Sequence, residues 1–532
     1  MQLQDLQPLP LGRSTFEALR TVDSIYVDKT EQIFSLASTD GKYFLARPRR
    51  FGKTLLVFAL ESLFKDGLKY FSGLKISKLW NDHTYPVVRL DFSSLKTYGS
   101  NKKFVDNFHN LLLGQFAQAG FEYQPQSPVK FIYQLKTWLL SLPPVSLVIL
   151  IDEYDAPLTE NLHDSRVFQE IRQELAEFYA VIKECDNCLR FFFMTGITKF
   201  QSTSIFSSFN NLTDISLDPA YGTLLGYTEE ELHHYFGQWI DKAVGVLGTS
   251  SRQELIDRMR VMYDGFCFDL FASTHVFCPW SVLSFLNRPD LGLRNYWYDS
   301  AGQPTVLVKH LLTHPLDDPK TYEQFTKVRL SDLSHSQDLP SIQTEVLLAQ
   351  VGYLTIKEAL PGDRVLLGYP NREVTVSIAR LHSDELLRNQ DLSAYGINSV
   401  AGVLSDGSVE DVVALFNRLS QAVDYNKHPF RDEATCRGML YSLLYGADLP
   451  VTAEVHNAYG RSDLMVKIGE RCWVFELKFA ASDDKEQALL EQAVEQVQSR
   501  QYGKEQRAKE LIRVALVYSA QQKIFSRWQV VP

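Results

Sequence analysis

Long apolar stretches are missing from this chain. The longest apolar run near the middle, SLVILI at 146–151, is far short of the roughly 20 residues that cross a bilayer, so no membrane partner is expected. Cysteine is scarce, six in 532 residues and mostly scattered, which suits a reducing cytoplasm better than a disulfide framework. The N-terminal MQLQDLQPLPLGR has no basic start followed by an apolar stretch, so no secretory signal is expected and the expected location is cytoplasmic. Positive charge is not in excess: the formal net charge is −10. Residues 431–532 hold Lys+Arg and Asp+Glu in equal number, so the whole deficit lies upstream. An acidic chain attracts nucleic acid poorly at long range, which leaves any such contact to local basic clusters. Tandem repeats and low-complexity tracts are absent as well.

What is present reads as a globular protein of several domains. Aromatic residues make up 12% and charged residues 22%, which argues against disorder. A chain of 532 residues is too long for one core, so two to four domains are expected. Strand-like runs recur at YFLAR (43–47), PVVRLDF (86–92), SLVILID (146–152) and RFFFMT (190–195). Between them lie helical patterns such as TLLVFALESLF (54–64) and VFQEIRQELAEFYAVIKE (167–184). Buried strands alternating with helices predict an α/β fold, a parallel sheet covered on both faces. From about 228 the pattern turns mostly helical, opening with a capping box at Thr228 and Glu231. After about 405 comes a long helical pattern and then a hairpin.

The stretch RPRRFGKT (47–54) ends like a phosphate-binding loop, with Gly52, Lys53 and Thr54 in place, but Arg47 stands where the first glycine belongs. Its setting is strand before and helix after, which points helix-terminal amides at a phosphate. Lys53 would reach the β- and γ-phosphates of ATP and Thr54 would ligate Mg²⁺; the alternative is a helix start with a solvated lysine. About a hundred residues on, LVILIDEYDAP (147–157) ends a strand in Asp152 and Glu153. Asp152 is placed to hold magnesium through water, and Glu153 to polarise the attacking water. Thr195, Thr198 and Lys199, at the end of the next strand, either sense the γ-phosphate or are simply a polar strand end.

In GRSDLMVKIGERCWVFELKF (460–479), Gly469-Glu470 suits a two-residue turn of type II′. That turn pairs Ile468 with Arg471, Val466 with Trp473, Leu464 with Phe475 and Asp463 with Glu476, and puts Lys478 on the face of Glu476. The charged trio is either the solvated face of a sheet or a site for Mg²⁺ or Mn²⁺, in which two carboxylates share the ion and the lysine acts on water. Removing one carboxylate, as in Asp463→Asn, is expected to relieve repulsion and raise metal-free stability slightly.

RPRRFGKT, YVDKT (26–30), IDEYDAP (151–157), FSSFNNLTDISL (206–217), NYWYDSAGQPTVL (295–307), VGYLTI (351–356) and YPNREV (369–374) together resemble the bacterial AAA-ATPase-like proteins, over nearly the whole chain. In that family the ATPase is followed by a PD-(D/E)XK nuclease-like domain. The resemblance implies an arginine-containing phosphate loop, with Arg47 and Arg50 beside Gly52, Lys53 and Thr54 in the cofactor-binding set that also includes Asp152 and Thr198. It implies Glu153, Asp463, Glu476 and Lys478 as catalytic, and Thr54, Asp152, Asp463 and Glu476 as metal ligands. It further implies ATP and Mg²⁺ as cofactors, with Mn²⁺ an option at the nuclease site, and DNA or RNA as substrate. Its domain pairing resembles prokaryotic defence and mobile-element systems. Related ATPases often complete their site with a neighbour's arginine, which leaves room for a homo-oligomer.

Flanking candidates are Glu433 and Glu454 as extra acidic groups, and Gln498 with Tyr502, or Gln496, on the following helix; each is as readily a surface residue. Cys185 and Cys188 form a CxxC with no second pair, so a helix end followed by a strand is expected there and zinc is not. His233 and His234 read as surface residues of an amphipathic helix. The expected division is a phosphate-loop ATPase over 1–227, a mainly helical lid or coupling domain over 228–404, and a restriction-endonuclease-like α/β domain over 405–532. The expected function is an ATPase controlling a metal-dependent nuclease. The other class kept open is a nucleotide-dependent sensor or scaffold whose nuclease fold binds nucleic acid or a protein without cleaving.

Overall fold

Backbone contacts in the computed structural model group the chain into two units: Met1–Pro315 with Gln324–Val374, and Leu316–Glu323 with Thr375–Pro532. The described residues are all except 1–5, 96–100, 163, 200–211, 302–304, 312–313, 315–318, 335–341, 387–399, 424, 426–427, 448, 458–459 and 501–508. The stretch expected as the ATPase and most of that expected as helical share the first unit. The second unit takes up the chain from Thr375, upstream of the expected boundary at 405.

In the first unit, β1 (Lys42–Ala46), β2 (Val87–Asp91), β3 (Leu147–Asp152), β4 (Leu189–Gly196) and β5 (Thr213–Asp214) form one sheet. Its order is β2-β3-β4-β1-β5 and every pairing is parallel. Strands β3 and β4 are buried along their whole length, because they lie inside the sheet and helices cover its faces. The helix Lys53–Asp66 follows β1 directly. The helix Ser165–Glu184 starts where the Asp164 carboxylate accepts Arg166 N–H and Val167 N–H, and it ends at Cys185. Since all strands run the same way, the tips of β1, β3 and β4 lie on one edge, with β4 between the other two. A ligand of such a sheet belongs at that edge.

The helices Glu229–Tyr235, Gly237–Leu247, Arg252–Tyr263 and Pro279–Asn287 pack with Ile25 and Val27 into a second apolar core of this unit. The first of them opens with the expected capping box of Thr228 and Glu231. YVDKT ties the N-terminal segment to these helices: Lys29 bonds Glu231, and Asp28 N–H donates to the Tyr235 hydroxyl. Periodicity missed one element here, a small antiparallel sheet of β6 (Thr326–Arg329), β7 (Thr355–Leu360) and β8 (Arg364–Gly368), ordered β6-β8-β7. Its strands are four to six residues long and depend on pairing with one another more than on a pattern of their own.

The second unit holds β9 (Val451–Asn457), β10 (Gly460–Ile468), β11 (Arg471–Ala480), β12 (Glu510–Ser519) and β13 (Ile524–Val531), ordered β13-β12-β11-β10-β9. Only β11 and β12 pair in parallel. Gly469 has φ 56° and Glu470 keeps a negative φ, the signature of the expected turn. The register is as expected: Ile468 opposite Arg471, Val466 opposite Trp473, Leu464 opposite Phe475. Leu464, Val466, Trp473, Phe475 and Leu477 face one core together with Phe416, Leu440 and Leu444. The opposite face is covered too: Met465, Cys472 and Val474 pack with Leu490, Ala493 and Val497 of the helix Glu486–Arg500.

Candidate active sites

At the tip of β1 the chain turns through residues 47–52 into a helix. Gly52 sits at φ 96° in the left-handed region, where a side chain would be strained. Lys53 is buried, and its ammonium donates to the carbonyls of Arg47 and Pro48, both at 3.0 Å. Burial pushes its pKa down, while Asp152, Glu153 and Asp155 pull it back up. The Thr54 hydroxyl hydrogen-bonds Asp152, whose carboxylate also accepts Glu153 N–H at 3.0 Å. Burial raises the pKa of both carboxyls, and Lys53 opposes the shift in each. Glu153 holds a left-handed φ of 50°, a conformation a non-glycine residue keeps only when its surroundings impose it.

Loop residues 49–54 and Glu153 line a cavity of about 650 Å³, within the usual range for a site that binds a small molecule. Apolar side chains also line it, among them Leu11, Ile25, Leu225 and Leu283. Arg50 lines it as well and lays its guanidinium over the Trp280 ring at 4.4 Å.

Two expected nucleotide ligands are committed elsewhere. Arg47 is 1% exposed. Its guanidinium donates to the carbonyls of Ala46, Ser216 and Tyr221 and lies over the Phe268 ring. The cofactor-binding expectation is corrected for this residue, because its guanidinium is turned into protein: Nη1 and Nη2 are spent on main-chain carbonyls, and buried Nε has no hydrogen-bond partner among the described residues. Burial lowers its pKa to about 9, which leaves it charged at neutral pH. Arg47→Met should cost about 3 kcal/mol of stability by leaving buried carbonyls without donors; urea unfolding of the two proteins measures this. Thr198 is likewise corrected. Its hydroxyl and its N–H both donate to Asp155, at 2.7 and 2.8 Å, so it braces the tip of β4 and does not reach the cavity. Thr195 donates to the Leu45 carbonyl and Lys199 pairs with Asp214.

In the second unit, Asp463, Glu476 and Lys478 come together and all are buried. They do not form a solvated face. Lys478 Nζ lies 3.1 Å from Glu476 Oε1 and 3.3 Å from Glu433 Oε2. Asp463 accepts Leu477 N–H through Oδ2 and Arg437 through Oδ1, each at 2.8 Å. Glu476 Oε2 is buried and has no hydrogen-bond partner among the described residues. Burial first, then Asp463, pushes the Glu476 carboxyl up to about 7, with Lys478 pulling the other way.

That asymmetry moves the stability expectation from Asp463 to Glu476: Asp463 is paired, so Asp463→Asn should destabilise. Glu476 holds its proton more tightly folded than unfolded, so folding loses stability as pH rises from about 4.5 to 7. Glu476→Gln should therefore stabilise the metal-free chain by up to about 3 kcal/mol above pH 7, and by nothing below pH 4.5. Unfolding in EDTA at pH 4 and pH 8 reads both.

The predicted AAA-ATPase family matches residues 10–206, and the PD-(D/E)XK nuclease superfamily matches residues 431–528. An "Uncharacterized protein in vnfD 5'region" of Azotobacter chroococcum mcd 1 is 30% identical over 517 residues, covering 94% of each chain. The chain belongs to the bacterial AAA-ATPase-like family with a C-terminal PD-(D/E)XK domain.

Several stretches that mark this AAA-ATPase-like chain turn out to be joints of the scaffold. NYWYD and YPNREV meet at buried Glu373, whose carboxylate accepts Tyr296 N–H, Trp297 N–H and the Ser281 hydroxyl. In IDEYDAP, Asp155 receives Ile197 N–H and both Thr198 donors, and the Tyr154 hydroxyl donates to the Thr198 carbonyl. Sequence reasoning passed over Asp155 and Arg437. The signal for Arg437 was a charge inside an otherwise apolar helical pattern, and that for Asp155 was its place in the stretch IDEYDAP. Cys185 and Cys188 are buried at the end of a helix and the start of β4, with the Cys188 thiol donating to the Cys185 carbonyl. The side chain of Glu454 and the whole of Tyr502 lie outside the described residues; Gln498 is exposed. Among the described residues no helix is long and apolar enough to cross a membrane.

Proposed function

We propose that this chain hydrolyses ATP at the edge of the parallel sheet, and that ATP controls a metal-dependent cleavage of nucleic-acid phosphodiesters in the second unit, in the service of prokaryotic defence. The observation that carries the first half is the meeting of Lys53, Thr54, Asp152 and Glu153 beside the cavity. The apolar lining takes the base and the loop takes the phosphates. Lys53 exchanges its two carbonyl partners for phosphate oxygens. Thr54 and Asp152 would hold a magnesium ion, which supplies neutralisation of the phosphate charge. Glu153 orients the attacking water and accepts its proton; a carboxyl with a raised pKa is a stronger base than an ordinary one.

Asp155 keeps that geometry by tying the turn after β3 to the tip of β4. Asp155→Ala should cut turnover at least tenfold while ATP affinity barely changes, since the phosphate loop is untouched. Comparing kcat with nucleotide binding by calorimetry separates the two effects.

For the nuclease half, the partnerless oxygen of buried Glu476 beside Asp463 fits a divalent cation. Such an ion would polarise the phosphodiester and lower the pKa of a bound water. Lys478 orients that water and stabilises charge developing on the phosphate. The deciding experiment incubates purified protein with DNA and RNA panels, with and without ATP and Mg²⁺ or Mn²⁺. Metal-dependent cleavage that changes with ATP is expected. Absence of cleavage under every condition leaves the sensor or scaffold reading, which has in its favour that both oxygens of Asp463 already have partners.

A further inference from the structure

The helix Glu433–Gly446 begins with a capping box between Asp432 and Thr435, which settles where its first turn lies. Glu433 and Arg437 are four residues apart and share one face. That face meets the charged trio at two points: Glu433 reaches Lys478, and Arg437 reaches Asp463. The helix therefore supplies a cation to one carboxylate of the pair and leaves the other, Glu476, with a bare oxygen.

We propose that Arg437 is a built-in cation that competes with the divalent ion for Asp463 and so sets the metal affinity of the C-terminal site. This rests on the nuclease reading above. Counted among the described side chains, and with all five groups ionised, Asp463, Glu476 and Glu433 face Arg437 and Lys478, one negative charge in excess. A divalent ion added to that set leaves one positive charge in excess. Without Arg437 the same ion leaves the cluster neutral. Arg437 and Asp463 are both largely shielded from water, with 15% and 7% of their side chains exposed, so solvent screens this imbalance weakly. The guanidinium also lies where an ion shared with Asp463 Oδ1 would meet it, at 2.8 Å from that oxygen.

The test is Mn²⁺ titration of the full-length chain without nucleotide, followed by the electron-paramagnetic-resonance signal of free Mn²⁺, with Asp463→Ala as the baseline. Arg437→Met should bind Mn²⁺ at least tenfold more tightly than wild type, and Arg437→Lys should stay near wild type. Arg437→Met should also melt at a lower temperature in EDTA and recover more than wild type when Mn²⁺ is added. Arg437→Gln is expected to behave as Arg437→Met does, and it serves if the methionine variant fails to fold. If the neutral variants fold and bind Mn²⁺ no more tightly than wild type, while wild type exceeds the Asp463→Ala baseline, the competition is refuted and the metal site stands. If neither wild type nor the neutral variants exceed that baseline, the metal site and the competition both fall.

Discussion

Glu153→Gln is expected to bind ATP as tightly as wild type and to hydrolyse it at least a hundredfold more slowly. A glutamine keeps the shape of Glu153 and its place beside Asp152, and Lys53 and Thr54 are untouched, so the grip on phosphate remains. What is lost is the base. General-base catalysis contributes about 10²–10⁴-fold, so a hundredfold loss, about 3 kcal/mol of barrier, is the lower bound. Lys53→Ala should differ in kind. It removes the cation that sits among the three carboxylates of this edge, so nucleotide binding itself, or most of the turnover, should go. Single-turnover hydrolysis and nucleotide binding, measured side by side, distinguish the two. Normal hydrolysis by Glu153→Gln would mean that a different carboxylate is the base, and Asp155 or Asp91 would be the next to test.

Asp463→Ala should abolish nucleic-acid cleavage and leave ATP hydrolysis largely intact, because the two sites belong to different units of the chain. The loss of cleavage should approach the detection limit, since one of the two carboxylates proposed to share an ion is gone. Lys478→Ala should keep Mn²⁺ binding and lose cleavage, because in the proposed reading the lysine acts on water and phosphate and not on the ion. Its removal also leaves Glu476 without its one hydrogen-bonded partner, so Mn²⁺ should restore more stability to Lys478→Ala than to Asp463→Ala. Cleavage that survives both substitutions would place the chemistry outside this cluster.

How much of this was legible in the sequence differs between the two sites. The C-terminal hairpin could be read directly: a period-two strand and a glycine turn admit one register, and that register, running from Leu464 opposite Phe475 to Ile468 opposite Arg471, brings Asp463 near Glu476. The burial of the trio could not. It follows from two helices: Glu486–Arg500 packs on the face that alternation alone would assign to solvent, and Glu433–Gly446 brings Glu433 and Arg437 against the trio. At the sheet edge, the strands and the loop were legible because buried parallel strands leave unbroken apolar runs. The direction of the Arg47 side chain was not, since a polar residue at a strand tip looks the same in sequence whether it faces a ligand or a carbonyl.

The sequence by itself determined the alternation of strands and helices in the N-terminal sheet, with Lys53 and Asp152–Glu153 on one edge, and the pairing of the hairpin. These depend on local period, on turn residues and on connection rules, all of which act over a few residues. The tertiary structure alone decided which charges meet. Arg47 finds Ser216 across 169 residues, Thr198 finds Asp155 across 43, and Arg437 finds Asp463 across 26. No local rule spans such distances. A buried charge is tolerable only where packing brings it a partner, and packing is a property of the folded chain.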